Sequence, residues 1–268
     1  MIYLTDKEYA EIAARIKKEY AIDMAKKKTL VENRLSSVLS SKGITSYKDY
    51  FEMVFNDKSG TEANIMLGKI TTNHTSFMRE KEHFDFLMNE VLPNWEKTSK
   101  TKELRTWCAA SSTGEEPYNI AMCLSEYFGA RKSQFDTKLL ASDISMNVLN
   151  KAKNGIYSAE TVSTLPPAWI KKYFKKINED SYQVVESIRK DVAFRQINLK
   201  NELKVKGNLD IIFCRNVMIY FDAQTKDELV NKFAKLLKPG GYLIIGHAES
   251  VNRDKVKLKY IKPSIYQK

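Results

Sequence analysis

The sequence predicts an α/β fold of the nucleotide-binding kind behind an all-α N-terminal domain. Three observations lead there. Apolar residues recur at helical spacing through residues 1–72, short apolar strand patterns alternate with helices from Leu104 onward, and the first of those strands runs through a glycine-containing loop into a helix. That last stretch reads Leu104-Arg-Thr-Trp-Cys-Ala-Ala-Ser-Ser-Thr-Gly-Glu-Glu-Pro117. Trp107 to Ala110 has the look of a buried strand, Pro117 sits where a first helical turn begins, and Tyr118 to Phe128 continues as an apolar helix. In such folds the ligand lies in the crevice at the carboxyl end of the first strand.

The loop lacks the several glycines, or the lysine with Ser/Thr, that a phosphate cradle needs. It carries Glu115 and Glu116 instead. Acids suit the positive end of a helix but repel a pyrophosphate, so the ligand expected there is neutral or cationic. S-adenosylmethionine fits, having a sulfonium, an ammonium and no phosphate. The same two acids also read as simple helix caps, and this stretch alone leaves both readings open.

The elements follow in order. Thr5-Asp-Lys-Glu8 is a capping box, and Tyr9, Ile12, Ala13, Ile16 and Tyr20 then keep helical spacing. A second helix carries Leu30, Leu35, Val38 and Leu39 and stops at Gly43; Ser46 opens a third with Tyr50, Phe51 and Val54 inward, and Ile65, Leu67 and Ile70 mark a fourth. Between Arg15 and Arg34 seven basic residues stand against three acids. This reads either as a solvated helix face or as a docking surface for an acidic partner.

Thr71 to Glu80 links the helical domain to the next, its Ser/Thr/Asn cluster serving as a cap or reaching over a ligand through Asn73, Thr75 and Arg79. Arg79 can grip a carboxylate with two parallel hydrogen bonds. It leads into a helix expected to end near Pro93. Lys138 to Asp143 is a second strand, and Asp143, one βαβ step on, stands where a carboxylate accepts ribose hydroxyls, or where it caps the helix that follows. Residues 157–195 interrupt the alternation and read as a small β-insert, with strands at Tyr182–Ile188 and Val192–Asn198. Ile211 to Cys214 is a strongly apolar strand ending in Arg215 and Asn216, with Tyr220 within reach. A helix from Thr225 stops at Lys238-Pro-Gly-Gly241, Tyr242–Gly246 is the next strand, and His247 and Glu249 close it. The tail Tyr260–Tyr266 reads as one strand with Pro263 at a bulge or edge.

With 268 residues, 43% hydrophobic and 29% charged, the chain has the composition of a water-soluble globular protein. No apolar run approaches a membrane span and no signal-peptide core is visible, so a cytoplasmic location without membrane insertion is expected. Cys108, Cys123 and Cys214 lie in apolar surroundings as buried thiols, and none of the three histidines pairs with a cysteine at zinc-ligand spacing, so no metal is expected. The net charge of +11 suits a nucleic acid, an anionic surface or an acidic protein, but no aromatic-basic strip for stacked bases appears.

Six ordered motifs carry a resemblance: Asn73-x-Thr-x-x-x-Arg79, Ser-Thr-Gly-Glu-Glu-Pro-Tyr118, Ala-Ser-Asp143, Asn198-Leu199, Cys-Arg-Asn-Val-Met-Ile-Tyr220 and Pro-Gly-Gly-Tyr-Leu-Ile-Ile-Gly-His247. Together they resemble the chemotaxis receptor glutamate O-methyltransferases, the CheR family, over nearly the whole chain. One departure is visible, since Met78 follows Phe77 where family members often have a second aromatic. The resemblance implies a Rossmann-like seven-stranded methyltransferase domain over residues 73–268, with the β-insert, behind a receptor-docking helical domain. It implies S-adenosylmethionine as cofactor and S-adenosylhomocysteine as product, with contacts from Asn73, Thr75, Arg79, Glu116, Asp143, Asn198, Leu199, Arg215 and Asn216, and Tyr220 near the transferred methyl. The expected partners are acidic methylation helices of membrane chemoreceptors, met by Lys17, Lys18, Lys26, Lys27, Lys28 and Arg34, and not nucleic acid. A nucleic-acid or small-molecule methyltransferase, or a cofactor-binding regulator without turnover, are the rival readings.

Overall fold

The computed structural model describes residues 2–71, 73–206 and 208–268; Thr72, the expected end of the helical domain, lies outside the described residues. Helix α1 (Asp6–Tyr20) opens with the capping box in full, the Thr5 hydroxyl accepting from the Glu8 amide and the Glu8 carboxylate from the Thr5 amide. α2 (Lys28–Ser41) is followed by Gly43 at a φ of 67°, α3 (Tyr47–Asn56) is capped by Ser46, and α4 (Thr61–Ile70) completes the domain. Ile16, Leu35, Tyr50, Phe51 and Leu67 fill the space between these helices.

The chain then forms α5 (Glu82–Phe86), a π-turn over Leu87–Val91 and α6 (Leu92–Thr98). The helix therefore does not end near Pro93. Proline has no N–H and its ring excludes the carbonyl four residues back, but the widened turn, with Leu92 N–H on the Leu87 carbonyl, absorbs the mismatch and helix continues to Thr98. Next come β1 (Thr106–Cys108), α7 (Glu115–Phe128), β2 (Leu139–Asp143) and α8 (Met146–Asn154). β3 (Ile156–Ser158), α9 (Ala159–Val162), α10 (Pro167–Tyr173), β4 (Phe174–Lys176), β5 (Ser181–Val184) and α11 (Glu186–Arg189) lead to β6 (Val192–Gln196). β7 (Leu209–Cys214), α12 (Ala223–Leu236), β8 (Leu237–Ile245), β9 (Lys259–Lys262) and β10 (Ile265–Gln267) finish the chain.

Seven strands form one sheet in the order β6-β2-β1-β7-β8-β10-β9. β6, β2, β1, β7 and β8 run parallel, and β10 and β9 add an antiparallel edge. The tail is thus a hairpin rather than a single strand. Pro263 and Ser264, the latter at a φ of 63°, lie between its two strands, which suits a proline that has no ladder N–H to offer. Val192–Gln196 likewise belongs to the main sheet, in register with β2, and not to the insert. Its alternating buried and exposed residues suit an edge position. The insert's own sheet has three antiparallel strands, β3-β5-β4.

Both faces of the parallel sheet are covered, which is why β7 is buried at every residue. Ile211 and Phe213 join the core under α5 to α8, while Ile212 and Cys214 join the core under α12. The strand order reverses between β1 and β7, so the chain leaves neighbouring strand ends in opposite directions there and opens a crevice.

Candidate active site

Four of the five parallel strands deliver a polar residue to one place beyond their ends. β2 ends at Asp143, β7 is followed by Arg215 and Asn216, β6 leads to Asn198 and Leu199, and the loop after β1 leads to Glu116 in the first turn of α7. These six, with Asn73, Thr75 and Arg79 from the interdomain segment and Tyr220 beyond β7, line a single cleft of about 870 Å³ that includes solvent at its mouth. Tyr20 and Ile22, from the end of α1 and just beyond it, form part of the same wall, which sequence reasoning missed.

Glu115 and Glu116 part company. Glu115 is buried and accepts from the Thr113 hydroxyl at 2.7 Å, a local arrangement at the helix start, and burial raises its pKa. Glu116 lines the cleft, accepts from the Cys108 thiol at 3.2 Å and pairs with Arg215. Burial keeps Cys108 well above its ordinary pKa and therefore a donor.

The Arg215 guanidinium has 1% of its side-chain surface exposed. Its nitrogens are already engaged, with Glu80 Oε2 at 3.0 Å, with Glu116 and with the Arg79 carbonyl. Asn216 Nδ2 also donates to Glu80, at 3.3 Å. Arg215 thus braces the cleft from behind, and Glu80, which no motif singled out, anchors it. Burial pushes the Glu80 carboxyl up, but Arg215 and Asn216 outweigh it and hold it below its ordinary value. Next to it the buried His83 is pushed down to about 3, by desolvation first and by Arg215 second. A second brace is Glu249, whose carboxylate accepts from the amides of Asn216 at 3.0 Å, Met218 at 2.6 Å and Gly246 at 2.7 Å. It ties the ends of β7 and β8 together and sets the path of the chain toward Tyr220.

Asp143 is half-buried, and desolvation raises its pKa against backbone amides that pull it down. Its Oδ2 accepts from the Ser112 amide at 2.9 Å and its Oδ1 from the Ser145 amide at 3.0 Å. The N-cap of α8 is Ser145, so Asp143 closes a turn ahead of the helix instead of capping it. Each carboxylate oxygen has two lone pairs, and one on each remains for a ligand hydroxyl. Arg79 Nη1 donates to the His74 carbonyl at 2.8 Å, and Asn198 Nδ2 to the Glu19 carbonyl at 3.3 Å. Met78 packs against the core beneath, so the departure at that position fills its space. A ligand with a diol, a flat apolar portion and a cationic end matches this set of Asp143, Leu199, Ile144 and Glu116.

The family description "CheR methyltransferase, SAM binding domain" matches residues 73–266, and "CheR methyltransferase, all-alpha domain" matches residues 7–71. The chain belongs to the CheR methyltransferase family. It is 41% identical over 272 residues to a chemotaxis protein methyltransferase of Borreliella burgdorferi, covering 100% of this chain and 96% of that one. It is 37% identical to the chemotaxis protein methyltransferase of Escherichia coli, covering 92% of this chain and 85% of the other, and 36% identical to that of Salmonella typhimurium over the same shares. As a CheR methyltransferase it is S-adenosylmethionine-dependent, and its fold is the all-α domain followed by the Rossmann-like methyltransferase domain. The CheR chain has no helix among the described residues that is long and apolar enough to cross a membrane.

Proposed function

We propose that this chain transfers the methyl group of S-adenosylmethionine to glutamate side chains of chemoreceptors in the cytoplasm, leaving glutamyl methyl esters and S-adenosylhomocysteine. The cofactor, when bound, supplies a methyl group activated by a positive sulfonium. Asp143 accepts the ribose hydroxyls, Glu116 takes the ammonium, Arg79 grips the carboxylate, and Asn73, Thr75, Asn198, Leu199 and Asn216 complete the walls. Arg215 acts through Glu116, by fixing where that carboxylate stands.

The acceptor's chemistry is simple. A glutamate is ionised at neutral pH, so it arrives as a nucleophile and no residue need remove a proton. The remaining tasks are alignment and exclusion of water, which in well-oriented systems are worth roughly 7–11 kcal/mol. Tyr220, on the cleft wall, orients the acceptor.

The observation that carries an anionic acceptor is the cation beside that tyrosine. The Lys27 ammonium lies 5.0 Å from the centre of the Tyr220 ring, with Lys17 on Asp222 nearby. Basic residues of the helical domain therefore border the cleft mouth, which supports receptor docking by acidic helices. The test is incubation with methyl-labelled S-adenosylmethionine and receptor-containing membranes or RNA. The expected product is label on the receptor that alkali releases as methanol. Alkali-stable label, or label on RNA alone, would reject the glutamate reading.

A further inference from the structure

We propose that Glu80, His83 and His247 form a binding site for a borderline divalent cation, zinc being the representative probe, whose occupancy opposes cofactor binding. The cation site itself does not need the methyl-transfer reading, whereas the antagonism rests on its assignment of the cofactor ammonium to Glu116. The three side chains come from different elements: Glu80 precedes α5, His83 lies on it, and His247 follows β8. One ligand atom from each lies within 4.8 Å of the others. The two imidazole rings stand 4.7 Å apart at 74°, and His83 Nδ1 is 3.4 Å from Glu80 Oε2.

The decisive feature is His83. It is 1% exposed, and neither ring nitrogen has a hydrogen-bond partner. Buried polar atoms are nearly always satisfied, and an orphaned one carries its full desolvation cost. A cation bonded to one nitrogen gives that nitrogen the partner it lacks and leaves the proton on the other. His247 is exposed at the rim, so it offers both an entry path and the freedom to close in. Ligands bonded to one zinc at about 2.0–2.1 Å stand roughly 3.4 Å apart, a shift of about an ångström for the outer histidine.

The donor set chooses the ion. Two imidazoles and a carboxylate suit zinc, cobalt, nickel or copper and are poor ligands for magnesium or calcium. Charge agrees: the half-buried carboxylates of Glu80 and Glu116 exceed the buried Arg215 guanidinium by one negative charge. Glu80 Oε2 is also the atom Arg215 holds at 3.0 Å. A cation taking that oxygen loosens Arg215, and Arg215 holds Glu116 in the cleft. Cation and cofactor ammonium then draw on the same excess charge, and the antagonism is reciprocal. Sequence spacing gives no hint of this, because the two histidines meet only through the fold.

The test starts from chelator-treated full-length protein titrated with zinc against a chromophoric chelator, and with cobalt followed by its visible absorption. One ion per chain is expected, lost in His247→Ala, an exposed position whose substitution leaves the core intact, and retained in His74→Ala. Calorimetry with S-adenosylhomocysteine should show the affinity reduced about 5–150-fold by saturating zinc in the wild type and unchanged by zinc in His247→Ala. Zinc binding that survives His247→Ala, or that His74→Ala removes, overturns the site. Full S-adenosylhomocysteine affinity with zinc bound there overturns the antagonism.

Discussion

Asp143 shows how one side chain shapes a loop and still keeps binding capacity. Its carboxylate accepts the Ser112 and Ser145 amides, and of about four lone pairs two remain. Asp143→Asn keeps the size but removes the charge and turns one oxygen into a donor facing an amide. Hydrogen bonds to charged groups contribute about 1.5–3 kcal/mol, so affinity for S-adenosylhomocysteine should fall roughly 10- to 100-fold in calorimetry. Unchanged affinity would remove the ribose assignment. Glu249 is the sharper test of stability. Its carboxylate gathers three amides from the ends of two strands. In Glu249→Gln the side-chain amide points a donor at donors already there, and a loss of about 2–4 kcal/mol is expected in urea unfolding. A variant as stable as the wild type would mean that this buried carboxylate is not what ties β7 to β8.

The start of α7 is where element and site meet. Gly114 has a φ of 100°, and a Cβ there would stand 2.8 Å from both Ala152 Cβ and Tyr157 Oη. The close approach packs α7 against α8 and the insert, and it leaves Glu116 facing the cleft. Gly114→Ala should therefore destabilise the protein by more than the roughly 1 kcal/mol of a left-handed alanine, seen as a drop in the thermal midpoint larger than that of a surface control such as Gly43→Ala, where no atom lies within 4 Å. Equal drops would show that the contact with Ala152 and Tyr157 yields freely. This element was legible in the sequence, because strand, glycine and proline lie side by side and each acts locally. So were Asp143 and Asn216, since polar residues at the end of a buried strand have few other reasons to be there. What escaped was non-local. Pro93 signals a stop to its own helix, and only the π-turn upstream cancels it. Val192–Gln196 carries strand propensity that fits either sheet, and pairing with β2 decides. Arg215 stands on the cleft as the sequence suggests, but its pairing was not legible because its partners, Glu80 and Glu116, lie far away in the chain. Glu80 itself had no signal beyond its place after Arg79.

At the scale of the whole molecule, the helical domain closes one side of the cleft. Lys17 on α1 meets Asp222 at 2.8 Å, the Asp23 amide donates to the Tyr220 carbonyl at 2.8 Å, and Asn198 reaches Glu19. Lys17 and the Thr225 amide hold the Asp222 carboxyl down to about 2, from an ordinary 3.8. A depressed carboxylate pKa contributes stability that is present above the ordinary value and lost as pH falls through the lowered one. The stability gap between wild type and Lys17→Met should thus be constant above about pH 4 and close toward pH 2. For so exposed a lysine it should be no more than about 1 kcal/mol. A gap that persists at pH 2 would mean Lys17 acts through packing. The same basic surface yields the last prediction. Lys17, Lys28 and Arg34 already have partners within the chain, in Asp222, in Asp6 and in the carbonyls of Lys69 and Thr71, so reversing them breaks those contacts as well as changing the surface charge. Lys18 and Lys26, the chain neighbours of Lys17 and Lys27, are exposed and make the cleaner variant. Replacing both by glutamate should raise KM for the receptor several-fold at low salt while leaving cofactor affinity alone. Because screening shortens from about 30 Å at 0.01 M to about 10 Å at 0.1 M, the two proteins' KM values should converge as salt rises. A KM that is equal at every ionic strength would detach the basic residues from docking, whatever the acceptor proves to be.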